Sequence, residues 1–276
     1  MKIGYFGGDW HLGCLDIFKQ HGHSISHIFV NDKMHYNQLL RNYADENNIP
    51  LCTTKPTKEH LDKLIEEGMG CIFSVEYPWL IPEVAAHVYT INVHPTLLPF
   101  GRGPTPIIWI LKQYKDLAGV TFHKLAKEFD KGDIIYQQPI IVDEDENWES
   151  LLMKLHLKIP LFLDQLLSNL SSLYVNSTQQ GVGSYWPKIS LKDRLVSWQW
   201  SIKEIDQLVR ACGRFGVVVD ILGQVLLVNN IKTSQIEHDH AVGDLIREDD
   251  ETYVVAVSDG IAILMKRNII ERLEVP

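Results

Sequence analysis

The first thirty residues constrain the fold more than any other part of the chain. Lys2 to Phe6 is a short apolar run that reads as a buried strand and Gly7-Gly8 as a turn. Leu12 to Gln20 reads as a helix closed by Gly22, and Ser24 to Val30 as a second strand. A strand, a helix and a second strand in this order pack as a right-handed βαβ unit in a parallel sheet covered by helices. The alternation continues with a helix from Tyr36 to Asn47, then Ile49-Pro50-Leu51, a helix from Lys58 to Glu67, and the apolar run Cys71 to Val75. The predicted class is α/β, a Rossmann-like domain with a mostly parallel sheet. Gly7, Gly8 and Gly13 do not form G-x-G-x-x-G, and Asp32 only ambiguously supplies the acidic residue expected after the second strand. Tight turns and packing account for these glycines, and nicotinamide binding is not expected.

Open parallel sheets collect their functional groups beyond the carboxyl ends of the strands. The run Asn92-Val93-His94-Pro95-Thr96-Leu97-Leu98-Pro99, followed by Arg102-Gly103, stands at such an end. Asn92 and His94 are two apart and share one face of an extended segment, while Pro95 and Pro99 are expected to stop the strand and fix an ordered loop. Alone, Asn-x-His reads equally well as a turn former and a satisfied imidazole. Asp130-Lys131-Gly132-Asp133 brings carboxylates, and spacing does not choose between Asp130 and Asp133. Arg102 reads either as a loop arginine paired with a carboxylate or as a ligand contact. Glu76-Tyr77-Pro78-Trp79-Leu80-Ile81-Pro82 reads as a rigid loop at the carboxyl edge of the sheet, its aromatics either packed in the core or offered to a ligand. His23, His27, His123 and His156 are taken as surface or satisfied core residues.

Together, INVHPTLLPFGRGPTP and AGVTFHKLAKEFDKGDII resemble the signature of the formyltransferases that use 10-formyltetrahydrofolate. That catalytic domain is shared by methionyl-tRNA formyltransferase, glycinamide ribonucleotide formyltransferase and the nucleotide-sugar N-formyltransferases. The resemblance implies a catalytic set of Asn92, His94 and Asp130, with Asp130 favoured over Asp133, and 10-formyltetrahydrofolate as co-substrate. It further implies that Tyr77, Trp79 and Leu80 line the pterin pocket, with Arg102 and Asp133 as additional cofactor contacts. Formyl transfer develops negative charge on the former carbonyl oxygen, which the Asn92 amide and a protonated His94 can both stabilise by donating to it. Asp130 is expected to raise the His94 pKa, hold the imidazole cationic, and accept the proton of the attacking amine.

Farther on, Pro106 to Tyr114 reads as a helix, Gly119 to His123 and Ile134 to Val142 as strands, and Trp148 to Leu170 as a helix that Pro160 should kink or split. The Ser-, Gln-, Asn- and Gly-containing stretch Ser171 to Ser184 reads as a linker, dividing a catalytic domain, 1–183, from a carboxy-terminal domain, 184–276. After a helix over Ile202 to Cys212, VVVDILGQVLLV and YVVAVSDGIAILMK read as hairpins of a small barrel-like, OB-like β domain. YWPKIS, VSW and IDQLVRA resemble the carboxy-terminal domain of methionyl-tRNA formyltransferase and of the bacterial 4-amino-arabinose formyltransferase.

The formal net charge of −9 and pI near 5.7 weigh against a nucleic-acid surface. In methionyl-tRNA formyltransferase a basic, Gly-rich insertion follows the second strand, whereas here Lys33-Met34-His35-Tyr36 leads almost directly into the next helix. The short form is similar to that of enzymes that formylate a nucleotide-linked amino deoxysugar for surface-polysaccharide synthesis. A methionyl-tRNA, hydroxyornithine or other small-amine acceptor is the alternative, as is a folate-binding module without catalysis. Cys14, Cys52, Cys71 and Cys212 are scattered, with no Cys-x-x-Cys, so reduced thiols and no metal site are expected. No basic leader with a long apolar run opens the sequence. The expectation is a cytoplasmic homodimer with a nucleotide-sugar substrate and neither membrane nor nucleic-acid partners.

Overall fold

The computed structural model describes residues 1–33 and 36–273. Met34 and His35, within the connection noted for its missing insertion, lie outside the described residues, as do 274–276. Two compact units are present. The first comprises Met1–Pro106, Leu117–Ile141 and Met153–Trp186; the second comprises Ile107–Asp116, Val142–Leu152 and Pro187–Pro276.

The first unit is built on a seven-stranded sheet in the order β3-β2-β1-β4-β5-β6-β7. Strands β1 (Lys2–Gly7), β2 (Ser24–Phe29), β3 (Leu51–Cys52), β4 (Met69–Val75) and β5 (Tyr89–Thr96) pair in parallel. Then β6 (Ala118–His123) and β7 (Ile134–Pro139) continue the sheet antiparallel. Because β1 lies between β2 and β4, the strand order reverses there, which opens the carboxyl edge of β1, β4 and β5 as the place for a site. Helices α1 (Gly13–Gln20), α2 (Gln38–Glu46) and α3 (Lys58–Glu66) supply the crossovers. The Thr57 hydroxyl caps α3 by accepting from the His60 N–H.

Alternate residues of the central strands feed two apolar layers. On one face Phe6 stacks on Phe29 with centroids 4.1 Å apart, and Leu61, Leu64, Ile72, Tyr77, Ile81 and Val88 complete the cluster. Phe73 meets Phe18 of α1 edge to face at 5.1 Å and stacks on Tyr5 at 6.0 Å. Burial of each such side chain contributes about 1.5–3 kcal/mol. Pro95 does not stop β5: the strand runs on to Thr96. Pro95 is tolerated because the β4 ladder ends at Val93, and pairing with β6 shifts register between His94 and Thr96. Nor does Pro160 end its helix, for α4 (Pro106–Gln113) is followed by α5 (Trp148–Ser168), which runs through it. The break comes at Asn169, before α6 (Leu170–Val175).

The second unit holds α7 (Ile202–Cys212), begun by a capping box in which Ser201 and Glu204 satisfy each other's backbone N–H. Gln207 on α7 donates to the carbonyls of Leu111 and Lys112 at 3.2 and 3.0 Å. Strands β8 (Val217–Ile221), β9 (Gln224–Val228) and β14 (Ile269–Leu273) form one antiparallel sheet. A second is formed by β10 (Lys232–Ser234), β11 (Leu245–Glu248), β12 (Thr252–Val257) and β13 (Gly260–Met265). The expected antiparallel β domain is thus two sheets. The cysteines are free thiols, and burial pushes Cys71 and Cys212 up to about 12. No described helix is long and apolar enough to cross a membrane.

Candidate active site

Asn92 and His94 stand on β5 with the same orientation, and β6 delivers a third group beside them, since His123 is the antiparallel partner of Asn92. The His123 Nδ1 lies 2.8 Å from the Lys124 carbonyl, which can only accept, so the proton is on Nδ1. Nε2 is left to accept from the Asn92 amide at 3.0 Å. This fixes the orientation of Asn92 and uses one of its two amide hydrogens. The second finds no partner among the described residues.

The same logic assigns His94. Its Nε2 is 2.8 Å from the Gly101 carbonyl and carries the proton, leaving Nδ1 to face Asp130 Oδ1 at 3.5 Å. His123 Nε2 lies 3.7 Å from the same oxygen, and Asp130 Oδ2 accepts from the Gly103 N–H at 3.0 Å. Burial pushes the Asp130 carboxyl up, but His94, His123 and the Gly103 N–H outweigh it and hold the group at about 2. Asp130 is therefore ionised. Its effect on His94 is smaller than expected from sequence: burial lowers the imidazole pKa by more than Asp130 and the Gly101 carbonyl raise it, while His123 adds to the lowering. The expectation of a cationic His94 is corrected to a neutral imidazole with a free lone pair on Nδ1.

The loop after β5 is held by side chains within the sheet. Thr96 Oγ1 donates to the Phe100 carbonyl at 2.8 Å and Thr121 Oγ1 to the Thr96 carbonyl at 2.6 Å. Gln137 of β7 donates to both the Leu98 carbonyl and Thr121 Oγ1. Asp130 itself has φ 57°, in the left-handed region that Asp tolerates better than most residues. Gly132 explains the Asp-x-Gly spacing physically: a Cβ there would lie 1.8 Å from the Lys124 carbonyl oxygen, so only glycine lets this loop close against β6.

The residues expected to contact folate are placed differently. Tyr77 is 7% exposed within the core cluster and meets Phe6 edge to face at 5.3 Å, with Trp79 edge-on to it at 5.7 Å. Leu80 is half-buried on the same loop. Asp133 points outward, with its carboxylate 3.8 Å from Lys124 Nζ. Arg102 pairs with an amide rather than a carboxylate, donating from Nε and Nη2 to Gln180 Oε1 at 3.0 and 2.8 Å. The geometry therefore unites Asn92, His94 and Asp130, and leaves the five expected cofactor contacts outside that cluster. His123, expected as a surface or satisfied core residue, is buried with both ring nitrogens hydrogen-bonded, and its place beside Asn92 and Asp130 had no sequence signal but its position at the end of the strand preceding the Asp130 loop.

An amide donor with an open N–H, a buried neutral imidazole and an ionised carboxylate can stabilise an oxyanion and accept a proton. Residues 29–162 match the family model "Formyl transferase", and 188–271 match "Formyl transferase, C-terminal domain". The chain belongs to the formyltransferase family. Methionyl-tRNA formyltransferase of Coprothermobacter proteolyticus is 27% identical to this formyltransferase, over 96% of the chain and 91% of the relative. Among solved structures, WlaRD, a sugar 3N-formyl transferase crystallised with dTDP and 5-N-formyl-THF, matches with a TM-score of 0.66 at 16% identity, covering 99% of this chain and 98% of that one. The Helicobacter canadensis N-formyltransferase, in complex with folinic acid and dTDP-3-aminofucose, matches at 0.63 and 17% identity, over 99% of both chains.

Proposed function

We propose that this formyltransferase moves a formyl group from 10-formyltetrahydrofolate to the amino group of a nucleotide-linked amino deoxysugar, through Asn92, His94 and Asp130. The observation that carries the chemical part is the pairing of an open Asn92 N–H with a neutral His94 backed by an ionised Asp130. That constellation fits a site that receives a carbonyl and an amine. The folate supplies the activated formyl group when bound. Asn92 donates its remaining N–H to the formyl oxygen as negative charge develops there, and His123 keeps the amide oriented. His94 takes the amine's proton on Nδ1, the imidazolium so formed is stabilised by Asp130 at 3.5 Å, and it returns that proton to the folate nitrogen as the bond from that nitrogen to the formyl carbon breaks.

The acceptor reading rests on the connection between β2 and α2. Only Val30 to Asn37 separate them, which leaves no room for a basic segment able to grip a tRNA stem. The net charge of −9 supports the same reading, since a tRNA must be held through many phosphates. The dTDP and 5-N-formyl-THF of the WlaRD structure and the folinic acid and dTDP-3-aminofucose of the Helicobacter canadensis N-formyltransferase support it, and the 27% identity to a methionyl-tRNA formyltransferase favours the alternative. The test is incubation with 10-formyltetrahydrofolate and a panel of dTDP-, UDP- and GDP-linked amino sugars, read by mass spectrometry. One member should gain one formyl group in the wild type and not in Asn92→Ala. A panel that stays unmodified while methionyl-tRNA is formylated would transfer the assignment to tRNA.

A further inference from the structure

The stretch Ser171 to Ser184, read from sequence as a linker, is instead built into the candidate site. Beyond α6, Thr178 exchanges both backbone hydrogen bonds with Ile134 at 2.8 Å. Ser184 Oγ accepts from the Gly101 N–H at 2.9 Å, the Arg102 N–H donates to the Ser184 carbonyl, and the Trp186 N–H donates to the Arg102 carbonyl at 2.7 Å. Between these anchors lies Gln180, half-buried, with every hydrogen-bonding group of its amide in use. Oε1 accepts twice from Arg102, and Nε2 donates to the backbone carbonyls of Asp130 at 2.9 Å and Gly132 at 2.7 Å.

We propose that Gln180 is a positioning residue for formyl transfer, an amide clamp that ties the Arg102 loop to the Asp130–Gly132 loop and so sets where the Asp130 carboxylate meets His94. The chemistry of the joint specifies an amide. A guanidinium needs an acceptor and two carbonyls need donors, so neither a carboxylate nor a cation can serve both sides. The clamp matters because the two loops also meet inside the site, where the Gly103 N–H donates to Asp130 Oδ2. Asp130 reaches His94 Nδ1 at 3.5 Å and His123 Nε2 at 3.7 Å, and holds φ 57°. Slack in either loop changes these separations, and displacement of about 1 Å can cost about 100-fold in rate. Arg102 then acts through Gln180 rather than by touching substrate.

This inference rests on the reading of Asp130 as a member of the reacting set, and its test separates the two. The imidazoles of His94 and His123 are titrated by NMR in the intact wild-type protein and in Gln180→Met, Gln180→Ala and Asp130→Asn. The first two variants remove the amide without changing charge. The groups that face His94 are Asp130 and His123, so withdrawal of the carboxylate must lower the His94 pKa. In parallel, kcat and KM are measured with 10-formyltetrahydrofolate and dTDP-3-aminofucose. Both Gln180 variants should lower the His94 pKa in the direction of Asp130→Asn, and should reduce kcat about 10- to 100-fold with KM changed much less. Wild-type His94 titration in both Gln180 variants, with a shifted titration in Asp130→Asn, overturns the clamp and leaves the Asp130 reading standing. Wild-type kcat in Asp130→Asn overturns both. If dTDP-3-aminofucose is not turned over, the titrations alone decide the clamp.

Discussion

At the scale of single residues, the proposed mechanism divides its labour between an amide and a base. Asn92 has one N–H held by His123 and one open, so Asn92→Ala should raise the barrier by about 2.7–4 kcal/mol, the usual cost of losing one oxyanion donor. Single-turnover rates together with thermal melts check this, and a wild-type rate in the folded variant would remove the donor role. In the proposed role, His94 can accept a proton only when neutral. Because burial lowers its pKa from 6.5, kcat/KM should fall on its acidic limb below about pH 6.5 and be flat above it. A limb centred above pH 7 would mean that Asp130, not burial, dominates. The carboxylate has a separate, structural signature. Asp130 is held at about 2, below its unfolded value near 3.8, so its contribution to stability is complete above the unfolded pKa and is lost as pH falls toward 2. Asp130→Asn should therefore flatten the acid branch of the melting temperature against pH, measured by circular dichroism.

At the scale of elements, the site is a meeting of two loops and a strap, all referred to one sheet edge. Gly183 shows how tight the seating is: a Cβ there would lie 1.9 Å from the Pro99 carbonyl oxygen. Gly183→Ala should destabilise the protein by about 1–3 kcal/mol through overpacking. Denaturant titration should give a lower midpoint with an unchanged slope. The strands and helices up to Val75 were legible because apolar periodicity is local, and the boundaries predicted for α1, α3 and α7 differ from those observed by a residue or so at most. The gathering of Asn92, His94 and Asp130 was legible because the motif around them is long. The place of His123 beside them was not, because it comes from antiparallel register with Asn92, and no local pattern announces a pairing across more than twenty residues of loop and helix. Gln180 was hidden for a different reason: a polar, glycine-containing stretch looks the same whether its backbone is solvated or bonded to a neighbouring loop. The orientation of Tyr77 was left open between core and ligand because aromatic content does not tell which way a ring faces, and the ring packs edge to face on Phe6.

For the whole molecule, the question is what a formyltransferase of net charge −9 can hold. A nucleotide sugar presents two phosphates, which one or two cations and backbone N–H groups satisfy. A tRNA acceptor stem demands many more contacts, and its affinity falls steeply with salt. The most direct measurement is therefore a comparison of acceptors, following transfer of labelled formyl from 10-formyltetrahydrofolate to amino-sugar nucleotides and to methionyl-tRNA at about 50 and 200 mM salt. An amino-sugar nucleotide should be formylated far faster than methionyl-tRNA, at a rate that changes little between the two salt concentrations. Efficient turnover of methionyl-tRNA at the higher salt, with no amino-sugar nucleotide reacting, would contradict it.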